Sequence, residues 1–188
     1  MHNILTSIPD KRIDKNTTSL KFKKDLINFF KNKNVNTCLE VGTNKGWTTK
    51  VLSSIFQQVH TIEIDRLLVE QAKVNNKEAS NIRYHNIDAT KKWNLDVRTF
   101  NVIFIDCIHS MQAVLNDIEQ SLTYYPKYLV FDDYGLPENN PSVKEAVQHF
   151  ISSSDITESQ IVYIGEPAGS QPRIGRTLVD WEGVIITL

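Results

Sequence analysis

The chain has 188 residues, of which 40% are hydrophobic and 23% charged, and its 21 basic and 22 acidic side chains leave a formal net charge of −1. That length suits one ordinary domain with its own core, and the near-balance of charge excludes a global field for gathering nucleic acid or a membrane surface. No apolar run approaches the roughly 18 residues that span a bilayer, residues 1–15 lack a signal-peptide core, and two cysteines without a CxxC pattern exclude a disulfide scaffold or structural zinc site. The expectation is an intracellular, cytoplasmic protein with no nucleic-acid or membrane partner.

Residues 11–33 are polar and lysine-rich, with Leu20, Phe22, Leu26, Ile27, Phe29 and Phe30 spaced like one face of a helix. Thr17, Thr18 or Ser19 supplies its N-cap. Its lysines read as a solvated face or as contacts to a local acidic or phosphate partner. Short apolar runs then alternate with mixed segments: strand 37–41, helix 48–56, strand 59–64, helix 67–76 and strand 82–87. The third strand is the least apolar, which puts it nearer an edge. Residues 100–105 carry the strongest strand signal and belong at the sheet centre. Helix 113–122, strand 128–131 and helix 142–151 follow, with Pro141 just ahead of that last helix, where its missing N–H is harmless.

This alternation predicts an α/β fold with a Rossmann-like, doubly wound, mainly parallel sheet. Residues 160–164 and 183–187 are two more strands with no helix pattern between them. The intervening Gly165, Pro167, Gly169, Pro172 and Gly175 are turn residues, so a C-terminal antiparallel hairpin is expected.

Ligands of open α/β sheets bind beyond the carboxyl ends of the strands. After the first strand comes Glu40-Val-Gly42-Thr-Asn-Lys-Gly46-Trp-Thr48. Gly42 and Gly46 permit a tight turn and close approach of a ligand to the backbone, although a plain strand-to-helix turn reads the same way. Glu63 closes the second strand 23 positions after Glu40, near the roughly 20-residue interval at which such folds place an acid for ribose hydroxyls. Asp65 reads better as a helix-start acid. Asp88 follows the third strand, as a ligand group or a cap.

Over roughly residues 34–188 the chain resembles the class I S-adenosylmethionine-dependent methyltransferases. The resemblance rests on Glu40-x-Gly42-x-x-x-Gly46-x-Thr48, on Glu63 and on Asp88. It implies that the glycine turn holds the methionine portion of S-adenosylmethionine, Glu63 the ribose, and Asp88 the adenine amino group, with Glu40, Thr48 and Asp106 completing the cofactor set. It divides the chain into an N-terminal helical segment, 1–33, and a cofactor-binding domain, 34–188.

The fourth and fifth strands are followed by Asp106-Cys-Ile-His109-Ser and Asp132-Asp133-Tyr-Gly. Acids at the ends of strands about 4.8 Å apart converge, and a hard divalent cation relieves their repulsion; a loop-capping role for the aspartate pair is the plainer alternative. The pattern is similar to the metal-dependent O-methyltransferases, which implies Asp106, Asp132 and Asp133 as Mg²⁺ ligands. Cys107 and Ile108 depart from the Asp-Gly-Asp-His pattern of that branch. His109 is the candidate base, its neutral imidazole removing an acceptor proton near pH 7, or else a residue that braces the following loop. His60, His85 and His149 read as structural.

Cys38 and Cys107 sit toward opposite ends of neighbouring strands, about 13 Å apart at 3.3 Å per residue, too far for a disulfide. Trp47 packs on the cofactor or within its helix. Specificity is expected in the loops 136–140 and 166–175, where Arg173 and Arg176 either pair with an anion or are solvated. The resemblance implies methylation of a small hydroxylated acceptor, with a metal-independent transferase and a non-catalytic nucleotide-binding module as the alternatives. With no lid domain in the chain, the site is open, closed by residues 1–33, or completed by a second subunit of a homo-oligomer.

Overall fold

A computed structural model describes residues 4–136, 143–172 and 175–188. The expected N-cap region at Pro141 and Ser142, most of the 136–140 loop and Arg173 lie outside those residues. Among the described residues a short 3₁₀ turn (Ile4–Ser7) precedes helix α1 (Leu20–Phe30). Ser19 caps α1, its hydroxyl accepting from the Phe22 N–H at 3.0 Å. The parallel core then runs β1 (Thr37–Val41), α2 (Trp47–Ile55), β2 (Gln58–Glu63), α3 (Arg66–Asn75), β3 (Ile82–Asn86), β4 (Val102–Ile105), α4 (Met111–Leu122) and β5 (Tyr128–Phe131). Helix α5 (Val143–Ser152), β6 (Ile161–Ile164) and β7 (Gly183–Thr187) complete it.

The sheet order is β3-β2-β1-β4-β5-β7-β6. β3 is an edge and β4 the centre, as their hydrophobicity predicts. β6 and β7 pair antiparallel, but β7 also enters between β5 and β6 and pairs antiparallel with both. The expected hairpin is thus a wedge: β6 runs with the parallel strands and β7 alone reverses.

Alternation along the strands splits the core into two layers. Leu39, Val41, Ile103, Ile105, Leu129, Phe131, Val184 and Ile186 face α4 and α5. Cys38, Val102, Phe104, Val130 and Ile185 face the opposite side, where Phe22, Leu26 and Phe30 of α1 join Leu52 and Phe56. Helix α1 is therefore built into the core, with Phe22 edge-on to Phe104 at 5.9 Å. The lysines of this region divide: Lys24 and Lys31 are exposed, whereas Lys11 and Lys23 are fully buried. The solvated reading holds for Lys24 and Lys31, and the reading of a local acidic partner for Lys11. Both cysteines are free thiols. No helix among the described residues is long and apolar enough to cross a membrane.

Candidate functional site

The registers bring Val41, Ile105 and Phe131 level across β1, β4 and β5. Gly42, Asp106 and Asp132 each stand one residue beyond, and Glu63 ends β2 beside them. The ladders continue for one step: Asp106 N–H donates to Val41 at 2.9 Å and Asp132 N–H to Ile105 at 3.3 Å. Parallel pairing alone therefore gathers the predicted acids at one end of the sheet.

Gly42 adopts φ +101°, and a Cβ there would lie 1.9 Å from the Asp106 carbonyl oxygen. Only glycine fits a left-handed turn pressed this closely on the next strand's backbone. Gly46, at φ +75°, opens α2 against Ala72 and Asn76. Glu40 lies beneath the turn, fully buried. Its Oε2 accepts from Thr49 Oγ1 at 2.5 Å and Thr61 Oγ1 at 2.6 Å. Burial pushes its pKa up to about 8, and its Oε1 has no hydrogen-bond partner, the pattern of a neutral acid inside the fold.

Beyond the turn is a cavity of about 280 Å³, walled by Gly42, Glu63, Asp88, Ile62, Ile64, Ala89, Thr90, Cys107 and Ile108. A second, of about 390 Å³, shares Ala89, Thr90, Cys107 and Ile108 and extends to Gln112, Asn116 and Asp117. Glu63 braces the loop, accepting from the Asn44 N–H at 2.8 Å and the Asp65 N–H at 3.0 Å. Asp65 caps α3, as the sequence suggests. Asp88 accepts from the hydroxyl and N–H of Thr90, bonds that hold its carboxyl below the usual range. Of the expected cofactor residues, Gly42, Glu63 and Asp88 are brought to one cavity. Glu40, Gly46 and Thr48 are not on its wall; Glu40 lies buried beneath the turn, Gly46 opens α2 and Thr48 is buried in its first turn.

Asp106 lines a different cavity, of about 120 Å³, together with Lys15, Asn16, Thr17, Asn44, Cys107, His109, Asp132 and Asp133. The N-terminal segment covers this cavity and is pinned by Asp14, which pairs with Lys45 at 3.0 Å and accepts from the Trp47 indole N–H at 3.3 Å. Trp47 thus holds the covering segment. His109 Nε2 lies 3.4 Å from Asp106 Oδ1 and 3.6 Å from Asp133 Oδ2. Burial disfavours its charge, but the Asp106 hydrogen bond and the charges of Asp133, Asp106 and Asp132 prevail and raise its pKa to about 9. An imidazole neutral at pH 7 was expected; two neighbouring carboxylates keep it protonated there.

The aspartate pair faces a cation that the sequence reading missed. Lys11 Nζ lies 2.6 Å from Asp133 Oδ1, 3.3 Å from Asp132 Oδ2 and 3.4 Å from Glu182 Oε1. Burial, followed by the charges of Asp133, Asp106 and Glu182, lifts the Asp132 carboxyl well above the usual range, against the pull of Lys11. Asp106, Asp132 and Asp133 do not fit as a Mg²⁺ triad, because an ammonium already stands between the last two. The one group among the described residues whose donor atoms converge within 4.8 Å is Asp106, His109 and Asp133, which leaves Asp132 out. Glu182 opens an apolar strand and Lys11 is one lysine of many, so neither carried a local signal.

Residues 39–124 match the family model of a methyltransferase domain. The chain's sheet, mostly parallel with a reversed strand near the C-terminal edge, has the class I methyltransferase fold. Similar solved structures include the O-methyltransferase of tomaymycin synthesis from Streptomyces achromogenes, in complex with SAM, at 16% identity and TM-score 0.68, covering 93% of this chain and 82% of that one. An O-methyltransferase from Bacillus cereus, in complex with SAH, matches at 18% identity and TM-score 0.62, covering 89% and 79%. An amino pentose methyltransferase of calicheamicin biosynthesis from Micromonospora echinaspora matches at 17% identity and TM-score 0.52 over 62% of this chain. The chain spans about half, 51%, of that last protein. At such identities the likeness is one of fold. No curated protein matches the sequence.

Proposed function

We infer that the protein transfers the methyl group of S-adenosylmethionine to a hydroxyl oxygen of a small acceptor. The observation that carries this reading is the pair of cavities meeting at Cys107, one walled by Gly42, Glu63 and Asp88 and the other by Asp106, His109 and Asp133. S-adenosylmethionine supplies an electrophilic methyl carbon on a sulfonium. The Gly42 turn leaves room for the methionine portion, Glu63 accepts from the ribose hydroxyls, and Ile64, Ala89 and Ile108 give apolar walls to the adenine beside Asp88.

In the neighbouring cavity the neutral form of His109, which grows in as pH rises toward about 9, stands where it can take the acceptor's proton. Asp106 orients its ring and stabilises the charge that it then carries. Methyl transfer needs in-line attack and little covalent chemistry, so alignment and exclusion of water are the protein's main contributions. The segment held by Asp14 supplies that cover, with Lys15, Asn16 and Thr17 closing the cavity from the N-terminal side.

Calorimetry with S-adenosylmethionine, S-adenosylhomocysteine and NAD tests the cofactor. The sulfur compounds bind, NAD does not, and Glu63→Ala weakens binding by about tenfold or more, the loss expected for hydrogen bonds to a charged group. Failure of both sulfur compounds to bind would overturn the reading. A methyl-transfer screen over sugars, catechols and small acids identifies the acceptor; cofactor binding with no turnover on any of them would favour a nucleotide-binding module.

A further inference from the structure

The carboxylates at the ends of β5 and β7 pose an electrostatic problem that the fold itself has answered. Asp132, Asp133 and Glu182 are all less than 5% exposed and all meet Lys11 Nζ within 3.4 Å. Carboxylates buried together repel unless a cation stands among them. Lys11 is itself fully buried, and its segment is fastened on both sides. Asp10 accepts from the Leu20 and Arg12 N–H groups, Lys23 Nζ donates to the Pro9 and Thr18 carbonyls, and Ser19 donates to Glu182 through both its N–H and its hydroxyl. A lysine anchored in this way is a fixed part of the cluster.

The same ammonium shapes the candidate site. Asp133 Oδ1 receives Lys11 while Oδ2 faces His109, whose ring also bonds Asp106. Asp133 holds φ +55°, a left-handed conformation that aspartate adopts more readily than most non-glycine residues. A Mg²⁺ ion demands oxygen ligands at about 2.0–2.1 Å in near-octahedral array; on the three aspartates it would share two with Lys11, and on Asp106, His109 and Asp133 it would still share Asp133 with a charge of its own sign.

We propose that Lys11 is the resident cation of this carboxylate cluster, a positioning residue that holds Asp133 against His109 in place of a divalent metal. The role of His109 rests on the function inferred above; the exclusion of metal by Lys11 does not. Methyl transfer is accordingly independent of divalent ions, and the N-terminal segment brings to the site the charge that completes it.

The test uses the full chain as wild type, Lys11→Met and Lys11→Met with Asp132→Asn. Mn²⁺ binding is followed by electron paramagnetic resonance, and turnover is measured on the screened acceptor before and after EDTA. Wild type holds no Mn²⁺ at the cluster and is indifferent to EDTA. Lys11→Met loses about 10–100-fold in turnover, up to the low end of what a positioned base contributes. It gains a Mn²⁺ site, recovers part of its turnover with Mn²⁺ or Mg²⁺, and loses the site again on Asp132→Asn. Mn²⁺ bound by wild type at the cluster, whether on Asp132 or on Asp106, His109 and Asp133, or turnover abolished by EDTA, would overturn the proposal. Full turnover in Lys11→Met would do the same. Should Lys11→Met fail to fold, the wild-type resonance and EDTA measurements decide alone, and they need no variant. S-adenosylhomocysteine calorimetry on the same samples keeps the two inferences apart: lost cofactor binding counts against the function, Mn²⁺ binding by wild type against Lys11.

Discussion

A histidine works as a base only when neutral, and His109 sits between two carboxylates that oppose this. With its pKa raised to about 9, its neutral fraction grows nearly tenfold for each pH unit gained below that value. If His109 takes the acceptor proton, kcat rises as pH increases toward about 9. Asp106→Asn, which removes the hydrogen bond and one charge, shifts that rise to lower pH. His109→Gln flattens the profile and lowers kcat by about 10²–10⁴-fold. A profile unchanged in His109→Gln would remove the residue from proton transfer. Residue types and spacing announced His109 and Asp106, but its proton depends on Asp133, which reaches it from another strand.

At the scale of elements, strand ends were legible because apolar runs stop where the polar site begins, as at Ile105-Asp106 and Phe131-Asp132. The place of α1 was only half legible. Its periodicity gave the helix and its cap, but the facing partners Phe104, Val130 and Ile185 come from distant strands. Leu26 is fully buried there, so Leu26→Ala is expected to cost about 2–5 kcal/mol in urea unfolding, against less than about 0.5 kcal/mol for Lys24→Ala on the exposed face. Equal effects would place α1 outside the core. The wedge of β7 was not legible, because an antiparallel pair inserts between strands or adds at an edge with the same sequence pattern.

Across the whole molecule, several buried groups keep protons that the unfolded chain releases. Glu40 is raised from its ordinary 4.5 to about 8 by burial. His109 is raised from 6.5 to about 9, its carboxylate neighbours outweighing the opposing effect of burial. Between about pH 6.5 and 8 the folded state therefore binds more protons than the unfolded state, so stability falls as pH rises. Lys23 acts in the opposite sense above about 8, where burial has lowered its pKa from 10.5. Thermal midpoints should decline from pH 6.5 to 8, and Glu40→Gln should make that decline shallower. A midpoint rising over this interval would contradict the assignment.

The sequence by itself determined the α/β alternation, the central and edge strands, the glycine turn and the acids just past the strands. Each follows from local propensity and the two hydrophobic periods, which act within a few residues. Only the tertiary structure decided which charges meet. Lys11 and Glu182 are separated by 171 positions yet lie 3.4 Å apart, and nothing in the neighbours of either marks it as different from a surface residue. Electrostatic pairing depends on distance through space and on exclusion of water, and folding alone supplies both. The same acids that in sequence asked for a metal ion therefore meet, in the folded chain, a lysine.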